Sequence, residues 1–405
     1  MSNSGAISGF VKPGFEAVHE AFVENFECRN ELGAACCIYY RGEKVVDLWG
    51  GIRNKTTGES WEENTMVITY SATKGIAGLA MALAHSRGLF DLDERVMKYW
   101  PEFAQNDKEK ITIRQLFAHQ AGLFALDKRV DVRLEADLDR LAILLARQKP
   151  SWKSGERQAY HAITLGFYQS ELLRRVDPKH RSLGRFFQEE MAIPLGLDFY
   201  IGLPENIPNS RLAKPYMVNP VGADIKLPVF LVLSAVYPRS NINRALWGDL
   251  PEDKEHIYTR KVEVPSGGGI GTARAMAHAY SVFATGGKEL GLSDETLKQL
   301  MARATPPTRG FYDEVMKSEG MQFSLGFLKP SPQIPFAHPN SFGMIGFGGC
   351  FCFADPNSSI GFAYVPNRID FHLMDPRQNA LRLAMYHSIG KTNPFLEDDK
   401  GEVNI

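Results

Sequence analysis

The sequence predicts an α/β fold of the α+β kind, in which an antiparallel sheet flanked by helices is interrupted by a large, mostly helical insertion. Strand-like runs lie near both ends of the 405-residue chain, and residues 76–261 between them are rich in helical segments and long loops. Helices and strands segregated in this way are typical of an α+β layer architecture. We predict a split sheet domain (residues 1–75 and 262–405), a helical domain (76–261), and a functional site at their interface.

The N-terminal part predicts one helix and one hairpin. Apolar residues recur at helical spacing over residues 13–29, namely Phe15, Val18, Phe22 and Phe26. Two strand-like runs follow, 34–40 and 44–49, on either side of the turn residue Gly42. A short apolar strand or approach segment that ends at Tyr70 then leads into a helix, which starts near Ala72 and stops at Gly88.

The central and C-terminal parts supply the remaining elements. Helices are predicted over 111–120, 134–148, 160–176 and 184–191. A glycine turn at 266–272 leads into a helix at 273–283; its spacing departs from G-x-G-x-x-G, so dinucleotide binding is rejected. The chain closes with strands at 350–354 and 360–365 and a helix at 379–388.

Composition narrows the class of protein. The chain is 44% hydrophobic and 23% charged, and its net charge of -1 gives no reason to expect nucleic acid or a membrane as a partner. Its longest apolar run, 227–237, is shorter than the roughly 20 residues of a membrane span, and the N-terminus lacks signal-peptide features. Five cysteines without metal spacing favour reduced thiols and a cytoplasmic location.

Ser71-Ala72-Thr73-Lys74 is the motif that carries chemistry. A spacing of three on a helix places the Ser71 hydroxyl and the Lys74 amine on one face. A lysine whose pKa is lowered by burial can activate a serine, and the helix N-terminus offers free N–H groups to an oxyanion. The S-x-x-K pattern alone is also consistent with a serine N-cap followed by a lysine on the helix surface. A second S-x-x-K, Ser388 to Lys391, is interpreted as a helix end.

Four segments in a fixed order resemble a known superfamily. Ser71 is followed by Leu116-Phe117-Ala118-His119-Gln120-Ala121-Gly122-Leu123, by Tyr160, and by the run Gly343 to Gly349. This order resembles the serine β-lactamase and penicillin-binding-protein superfamily, and within it the class C-like family VIII carboxylesterases. The resemblance extends from the first hairpin to the closing helix, and it implies the β-lactamase/transpeptidase-like fold.

The resemblance implies roles for individual residues. Ser71 would be acylated, Lys74 would help to deprotonate it, and Tyr160 would share the proton transfer. Tyr70 and Tyr168 are rivals for the tyrosine; Tyr160 is preferred because it follows a Trp-x-x-Gly loop, as the tyrosine of the family does. The backbone N–H groups of Ser71 and of Phe347 would form the oxyanion hole.

Two departures from the family pattern bear on the substrate. Class C β-lactamases carry Tyr-x-Asn, whereas position 162 is Ala. The segment that matches Lys-Thr-Gly has Met344 in place of the lysine, so the cation that would bind a substrate carboxylate is missing. The substrate-binding residues implied are Met344, Ile345, Gly346 and Gly348.

The remaining histidines and motifs give no reason to expect a different catalytic mechanism, a metal or a cofactor. His119 and His161 lie in segments that resemble the family, in which the histidine matching His119 has a structural role. We therefore do not predict a Ser–His triad. His161, next to Tyr160, either influences the site or has no part in it. No G-x-S-x-G elbow supports an α/β-hydrolase, and no metal-ligand spacing or cofactor motif occurs. We expect neither a metal nor a cofactor.

The sequence therefore predicts a serine hydrolase that acts on a small, neutral ester. The alternatives are β-lactamase, D-peptidase or acyltransferase activity at the same site, or a scaffold that has kept only the fold. Arg274 and Lys261 are the cations that could replace the missing lysine, although an apolar wall at 227–237 argues for neutral substrates.

Overall fold

An antiparallel sheet built from strands near both ends of the chain forms the centre of the protein. The computed structural model describes residues 7–127, 136–218, 229–246 and 260–391. The strands of this main sheet are β1 Ser8–Val11, β2 Gly33–Tyr40, β3 Glu43–Asn54, β4 Glu59–Ser60, β9 Gln322–Ser324, β10 Phe327–Lys329, β11 Phe342–Ile345, β12 Phe351–Asp355 and β13 Ile360–Pro366. Their order is β1-β3-β2-β13-β12-β11-β10-β9, with β4 paired to β3, and all of the pairings are antiparallel.

Different helices pack against the two faces of this sheet. Alternation along β2 directs Ile38 to one hydrophobic cluster and Cys37 to the other. The cluster of Ile38 includes residues of helices Glu16–Cys28 and Pro376–Ser388, whereas the cluster of Cys37 includes residues of helices Ala72–Ser86 and Ala273–Ala284. The sheet is thus covered by helices on both faces, as the sequence predicted.

A small second sheet joins distant parts of the chain. Strands β5 Val67–Ile68 and β6 Phe199–Ile201 both pair antiparallel with β8 Gly269–Gly271. A parallel pair, β7 Tyr216–Met217 with β14 Arg368–Ile369, lies elsewhere. The small sheet holds the segment before Ser71 against the glycine turn, which fixes where the next helix begins.

The remaining helices fill the middle of the chain and one connection in its C-terminal part. They are Val96–Tyr99, Ile113–Phe117, Leu138–Arg147, Thr164–Val176, Leu183–Phe187, Ile193–Leu195, Val229–Val236, Asn241–Ala245 and Asp294–Met301. In the described part of the chain, no helix is both long enough and apolar enough to cross a membrane. The helix Ala72–Ser86 runs across residue 75, and the domain division at residues 75 and 262 stays a prediction.

Several predicted boundaries were wrong. The helix predicted from residue 160 begins at Thr164, because residues 159–162 form a hydrogen-bonded turn instead. The helix predicted over 111–120 is only Ile113–Phe117, whose N-terminus is set by a Thr112 capping box. The closing helix starts at Pro376 rather than at residue 379, because Asp375 caps it and proline favours a first helical position. Part of the 134–148 prediction lies outside the described residues.

The strands that the sequence analysis missed are short. The three-residue strands β9 and β10 and the four-residue strands β1 and β11 offer too few alternating residues for a period-2 signal. The cysteines are free: Cys28 is exposed, while Cys36, Cys37, Cys350 and Cys352 are buried in the sheet region, as expected of reduced thiols.

Candidate active site

Ser71 directly precedes a helix that is buried along almost its whole length, and its side chain makes no capping hydrogen bond. The chain leaves β5, turns at Tyr70, whose φ of 45° is in the left-handed region, and enters the helix at Ala72. Each residue from Ala72 to Ala84 is buried, whereas Ser71 is partly exposed. An Ala- and Leu-rich helix with no polar face is typical of a core position. The serine is therefore presented at the accessible end of a helix that the core holds rigidly.

Lys74 lies one turn below Ser71 with its amine held between two carbonyl groups. Its Nζ donates to the carbonyl oxygen of Ala162 at 2.6 Å and to that of Ser266 at 2.8 Å, and lies 3.4 Å from Ser71 Oγ. Burial lowers the pKa of Lys74 well below its ordinary value, because desolvation penalises the ammonium. A neutral amine has two N–H donors, and both are used by carbonyls, which leaves the lone pair for Ser71.

Tyr160 completes the contacts of Ser71. Its hydroxyl donates to Ser71 Oγ at 2.7 Å, and its ring stacks on Phe323 with the centroids 5.5 Å apart. Burial raises the pKa of Tyr160 above its ordinary value, so the group is a phenol at neutral pH. Tyr160 is therefore available as a proton donor to Ser71, and the lowered pKa of Lys74 favours its neutral amine.

The two rival tyrosines make no contact with Ser71 Oγ. The Tyr168 hydroxyl donates to the carbonyl of Leu145 at 3.3 Å inside the helical region. The Tyr70 hydroxyl is buried without a hydrogen-bond partner among the described residues, and its ring packs edge-on against Phe347 at 5.8 Å. Of the three tyrosines, the structure brings Tyr160 to the serine.

The segment after β11 passes close beside the start of the Ser71 helix. A Cβ added at Gly346 would lie 2.3 Å from the carbonyl oxygen of Thr69 and 3.2 Å from the nitrogen of Ala72, so only glycine fits there. In the described part of the chain, the backbone N–H groups of Ser71 and Phe347 donate no hydrogen bond. Both predicted oxyanion donors are thus free and lie on neighbouring segments.

The predicted substrate-binding residues have different surroundings. Gly346 borders the helix start, while Met344 and Ile345 are only 1% and 9% exposed and belong to the hydrophobic cluster that contains Tyr160. Gly348 has a φ of 87° and turns the chain against Ile369. A phenylalanine, Phe347, is the partly exposed member of this run.

Neither cation proposed as a substitute for the family lysine is well suited to bind a substrate. Arg274 Nε lies 2.6 Å from Asp47 Oδ2, and Arg274 Nη2 lies 3.2 Å from Glu63 Oε1, so this charge is already paired. Lys261 is exposed. The proposed apolar wall at 227–237 begins outside the described residues; from residue 229 it forms the helix Val229–Val236.

His119 and His161 pair with backbone groups and not with Ser71. His119 Nδ1 accepts from the N–H of His161 at 2.9 Å, so its proton is on Nε2. His161 Nδ1 lies 2.6 Å from the carbonyl of Ala159. Burial lowers the pKa of His161 to about 4 and that of His119 well below its ordinary value. Both imidazoles are therefore neutral, and the described residues contain no Ser–His triad.

Sequence reasoning missed three contributors to this geometry. They are the carbonyl groups of Ala162 and Ser266, which bind Lys74, and the Asp313 carboxylate, which accepts from the N–H of Tyr160 at 3.2 Å. The composition of the glycine turn carries a signal of close approach, because a Cβ at Gly269 would lie 2.7 Å from Thr73 Oγ1. No group of His, Cys, Asp and Glu among the described residues could hold a metal ion.

Comparisons with known proteins agree with this architecture. A family model described as Beta-lactamase matches residues 21–384. The esterase/beta-lactamase LipL of Mycobacterium tuberculosis is 30% identical over 369 residues, which cover 90% of this chain and 83% of that protein.

Two solved structures are similar over nearly the whole chain. A family VIII carboxylesterase superposes with a TM-score of 0.84 at 32% identity, covering 95% of this chain and 100% of its own. A penicillin-binding protein homolog from Caulobacter crescentus gives a TM-score of 0.82 at 31% identity, with the same coverage. The chain therefore belongs to the beta-lactamase family, and it is a serine hydrolase of that superfamily.

Proposed function

We propose that this protein hydrolyses small, neutral carboxylic esters through an acyl-enzyme on Ser71. The observation that carries the proposal is the buried Lys74 amine, whose N–H groups are taken by Ala162 and Ser266 while its nitrogen lies 3.4 Å from Ser71 Oγ. A lysine held in this way is a base, not a surface cation.

In the acylation step, Ser71 Oγ bonds to the ester carbonyl carbon and its proton passes to Lys74 Nζ. The carbonyl oxygen becomes an oxyanion, stabilised by the N–H groups of Ser71 and Phe347. As the carbon–oxygen bond of the ester breaks, the leaving alkoxide takes a proton from the Tyr160 hydroxyl. The Lys74 ammonium returns a proton to Tyr160, which leaves an acyl-enzyme and a free alcohol.

Deacylation repeats these steps with water as the nucleophile. Water gives a proton to Lys74 and bonds to the acyl carbon. As the bond from that carbon to Ser71 Oγ breaks, Oγ recovers a proton from Tyr160 and the carboxylic acid is released. The Lys74 ammonium then returns its extra proton to Tyr160, which restores both groups. An acceptor alcohol in place of water would turn hydrolysis into acyl transfer with the same residues.

Met344 supports a neutral substrate. An unpaired carboxylate costs several kcal/mol to bury, and a thioether offers it no compensating charge. Arg274 is engaged by Asp47 and Glu63, so it does not supply the missing cation. Uncharged esters would avoid that cost.

β-Lactam hydrolysis is the second candidate, because the Mycobacterium tuberculosis relative is described as an esterase/beta-lactamase. Met344 and Ala162 argue against it as the main activity. A scaffold without catalysis is a third alternative, which the Ser71–Lys74–Tyr160 contacts make less attractive. The cytoplasmic location stays a prediction from the reduced cysteines.

The test combines a covalent probe with a substrate panel. A fluorophosphonate should label the wild-type protein and Ser388→Ala but not Ser71→Ala, since Ser388 Oγ only donates to the carbonyl of Ala384. p-Nitrophenyl esters of increasing chain length, run beside nitrocefin, should show faster turnover of the esters. Labelling of Ser71→Ala equal to wild type would contradict the nucleophile, and faster nitrocefin turnover would favour the β-lactamase alternative.

A further inference from the structure

The turn of residues 159–162 carries two separate parts of the catalytic arrangement. Tyr160 supplies the hydroxyl that donates to Ser71, and two residues later Ala162 supplies the carbonyl that binds the Lys74 amine. The turn lies before the helix Thr164–Val176, and within it the N–H of Ala162 donates to the carbonyl of Tyr160 at 3.0 Å. The N–H groups of residues 159–161 bind partners outside the turn, and those partners fix the direction in which both groups point.

His119 holds the turn from one side. Its carbonyl oxygen accepts from the N–H of Ala159 at 3.0 Å, and its Nδ1 accepts from the N–H of His161 at 2.9 Å. The His119 ring is fully buried and packs edge-on against Phe323, with the centroids 4.4 Å apart. The same phenylalanine stacks on the Tyr160 ring, so the imidazole and the phenol share one support.

Asp313 holds the turn from the other side. Its Oδ1 accepts from the N–H of Tyr160 at 3.2 Å, and also from the N–H groups of Val315 and Met316 at 2.9 Å each. Its Oδ2 accepts from the side-chain amide of Gln158 at 3.2 Å. The Asp313 side chain is fully buried.

The N–H groups of Ala159, Tyr160 and His161 are thus bound in succession by two residues from distant parts of the chain. We propose that His119 and Asp313 are positioning residues that clamp the 159–162 turn and thereby aim the Tyr160 hydroxyl at Ser71 and the Ala162 carbonyl at Lys74. Neither side chain has a hydrogen bond to Ser71. This inference rests on the proposed function, because it assigns the two residues a part in the same proton transfers.

The expected effect is on turnover more than on substrate affinity. A displacement of about 1 Å in a catalytic group can cost about 10²-fold in rate. Loss of the clamp would displace two groups at once: the Tyr160 hydroxyl, which is the acid, and the Ala162 carbonyl, which orients the Lys74 amine. We therefore expect kcat to fall while KM changes little. A residue that served only to stabilise the fold would instead lower the fraction of active protein.

The matched variants are His119→Asn and His119→Gly. His119 has a φ of 61°, a conformation that asparagine and glycine tolerate. Asparagine keeps an acceptor at the place of Nδ1, whereas glycine removes it. We expect His119→Gly to lower kcat for p-nitrophenyl butyrate about 10²-fold and His119→Asn to retain most of it.

A double-mutant cycle separates positioning from folding. In a Tyr160→Phe background the hydroxyl to be aimed is gone, so His119→Gly should cost much less than it does in the wild type. Equal losses of kcat in both backgrounds, or equal losses in the asparagine and glycine variants, would overturn the inference.

If His119→Gly does not fold, the two variants Asp313→Asn and Asp313→Ala provide the same test. Asp313→Asn keeps the Oδ1 acceptor. Its new amide nitrogen would face the Gln158 amide nitrogen that donates to Asp313 Oδ2, so Gln158 would have to turn its unpaired Oε1 towards it and give up its hydrogen bond to the Met321 carbonyl. Asp313→Ala keeps no acceptor. We expect the asparagine variant to be much more active than the alanine variant, and equal activity in these two would overturn the inference. Failure of the proposed function is distinguishable, because the wild type itself would then show no Ser71-dependent ester hydrolysis.

Discussion

Replacing Tyr160 with phenylalanine removes one oxygen atom from the site and little else. The lost group is the hydroxyl that donates to Ser71 Oγ at 2.7 Å, while the ring that stacks on Phe323 remains. Loss of a general acid–base group lowers kcat by roughly 10²–10⁴. This range corresponds to about 2.7–5.4 kcal/mol of transition-state stabilisation, at 1.36 kcal/mol for each factor of ten.

The cost to stability should be far smaller than the cost to catalysis. The hydroxyl makes one hydrogen bond, and a hydrogen bond of this kind contributes about 1 kcal/mol to the free energy of unfolding. Tyr168→Phe is the matched control, because it removes a buried hydroxyl bonded only to the carbonyl of Leu145. It should cost similar stability and leave kcat unchanged.

The assay is steady-state hydrolysis of p-nitrophenyl butyrate by Tyr160→Phe, Lys74→Ala and the double variant, with urea unfolding of each protein. The two losses should not multiply, because both residues contact the same Ser71 oxygen and act as a unit. A Tyr160→Phe enzyme with wild-type kcat beside an impaired Tyr168→Phe enzyme would refute the placement of the tyrosine. Losses that multiply fully would refute the shared proton transfer.

Three further predictions concern pH, substrate charge and packing. Burial lowers the pKa of Lys74 well below 10.5, and the neutral amine is the active form in the proposed mechanism. We therefore expect kcat/KM to fall only as the pH drops through that lowered pKa. A pH–rate profile whose acid limb lies near pH 10 would contradict this prediction. Met344→Lys should raise the kcat/KM of nitrocefin relative to p-nitrophenyl butyrate, while the uncharged Met344→Leu control should not. Gly75→Ala should cost about 1–3 kcal/mol of unfolding free energy in urea, because a Cβ there would lie 1.9 Å from the Tyr280 hydroxyl oxygen. Tyr280→Phe in the same chain should recover part of that loss, and no recovery would argue against this clash.

The parts of the fold that were predictable are those encoded by local patterns. The longer strands β2, β3, β12 and β13 are long enough to appear as strand-like apolar runs in the sequence. The helix after Ser71 appears as a continuous run of mostly small apolar residues. The Ser71–Lys74 pair was predictable for the same reason, since a spacing of three on a helix needs no knowledge of the rest of the chain. Short strands such as β6 and β8 were not, because three residues carry no period.

The sequence by itself determined the fold class, the family that the chain resembles, and Ser71 and Lys74 as the candidate pair. Only the tertiary structure decided what surrounds the lysine: its acceptors, Ala162 and Ser266, are 88 and 192 residues away along the chain. The structure also showed that Tyr160 lies on a turn rather than on a helix, with Asp313, 153 residues distant, binding its N–H. The physical reason is that backbone carbonyl and N–H groups are common to almost every residue, so the sequence does not mark which of them will meet a buried amine.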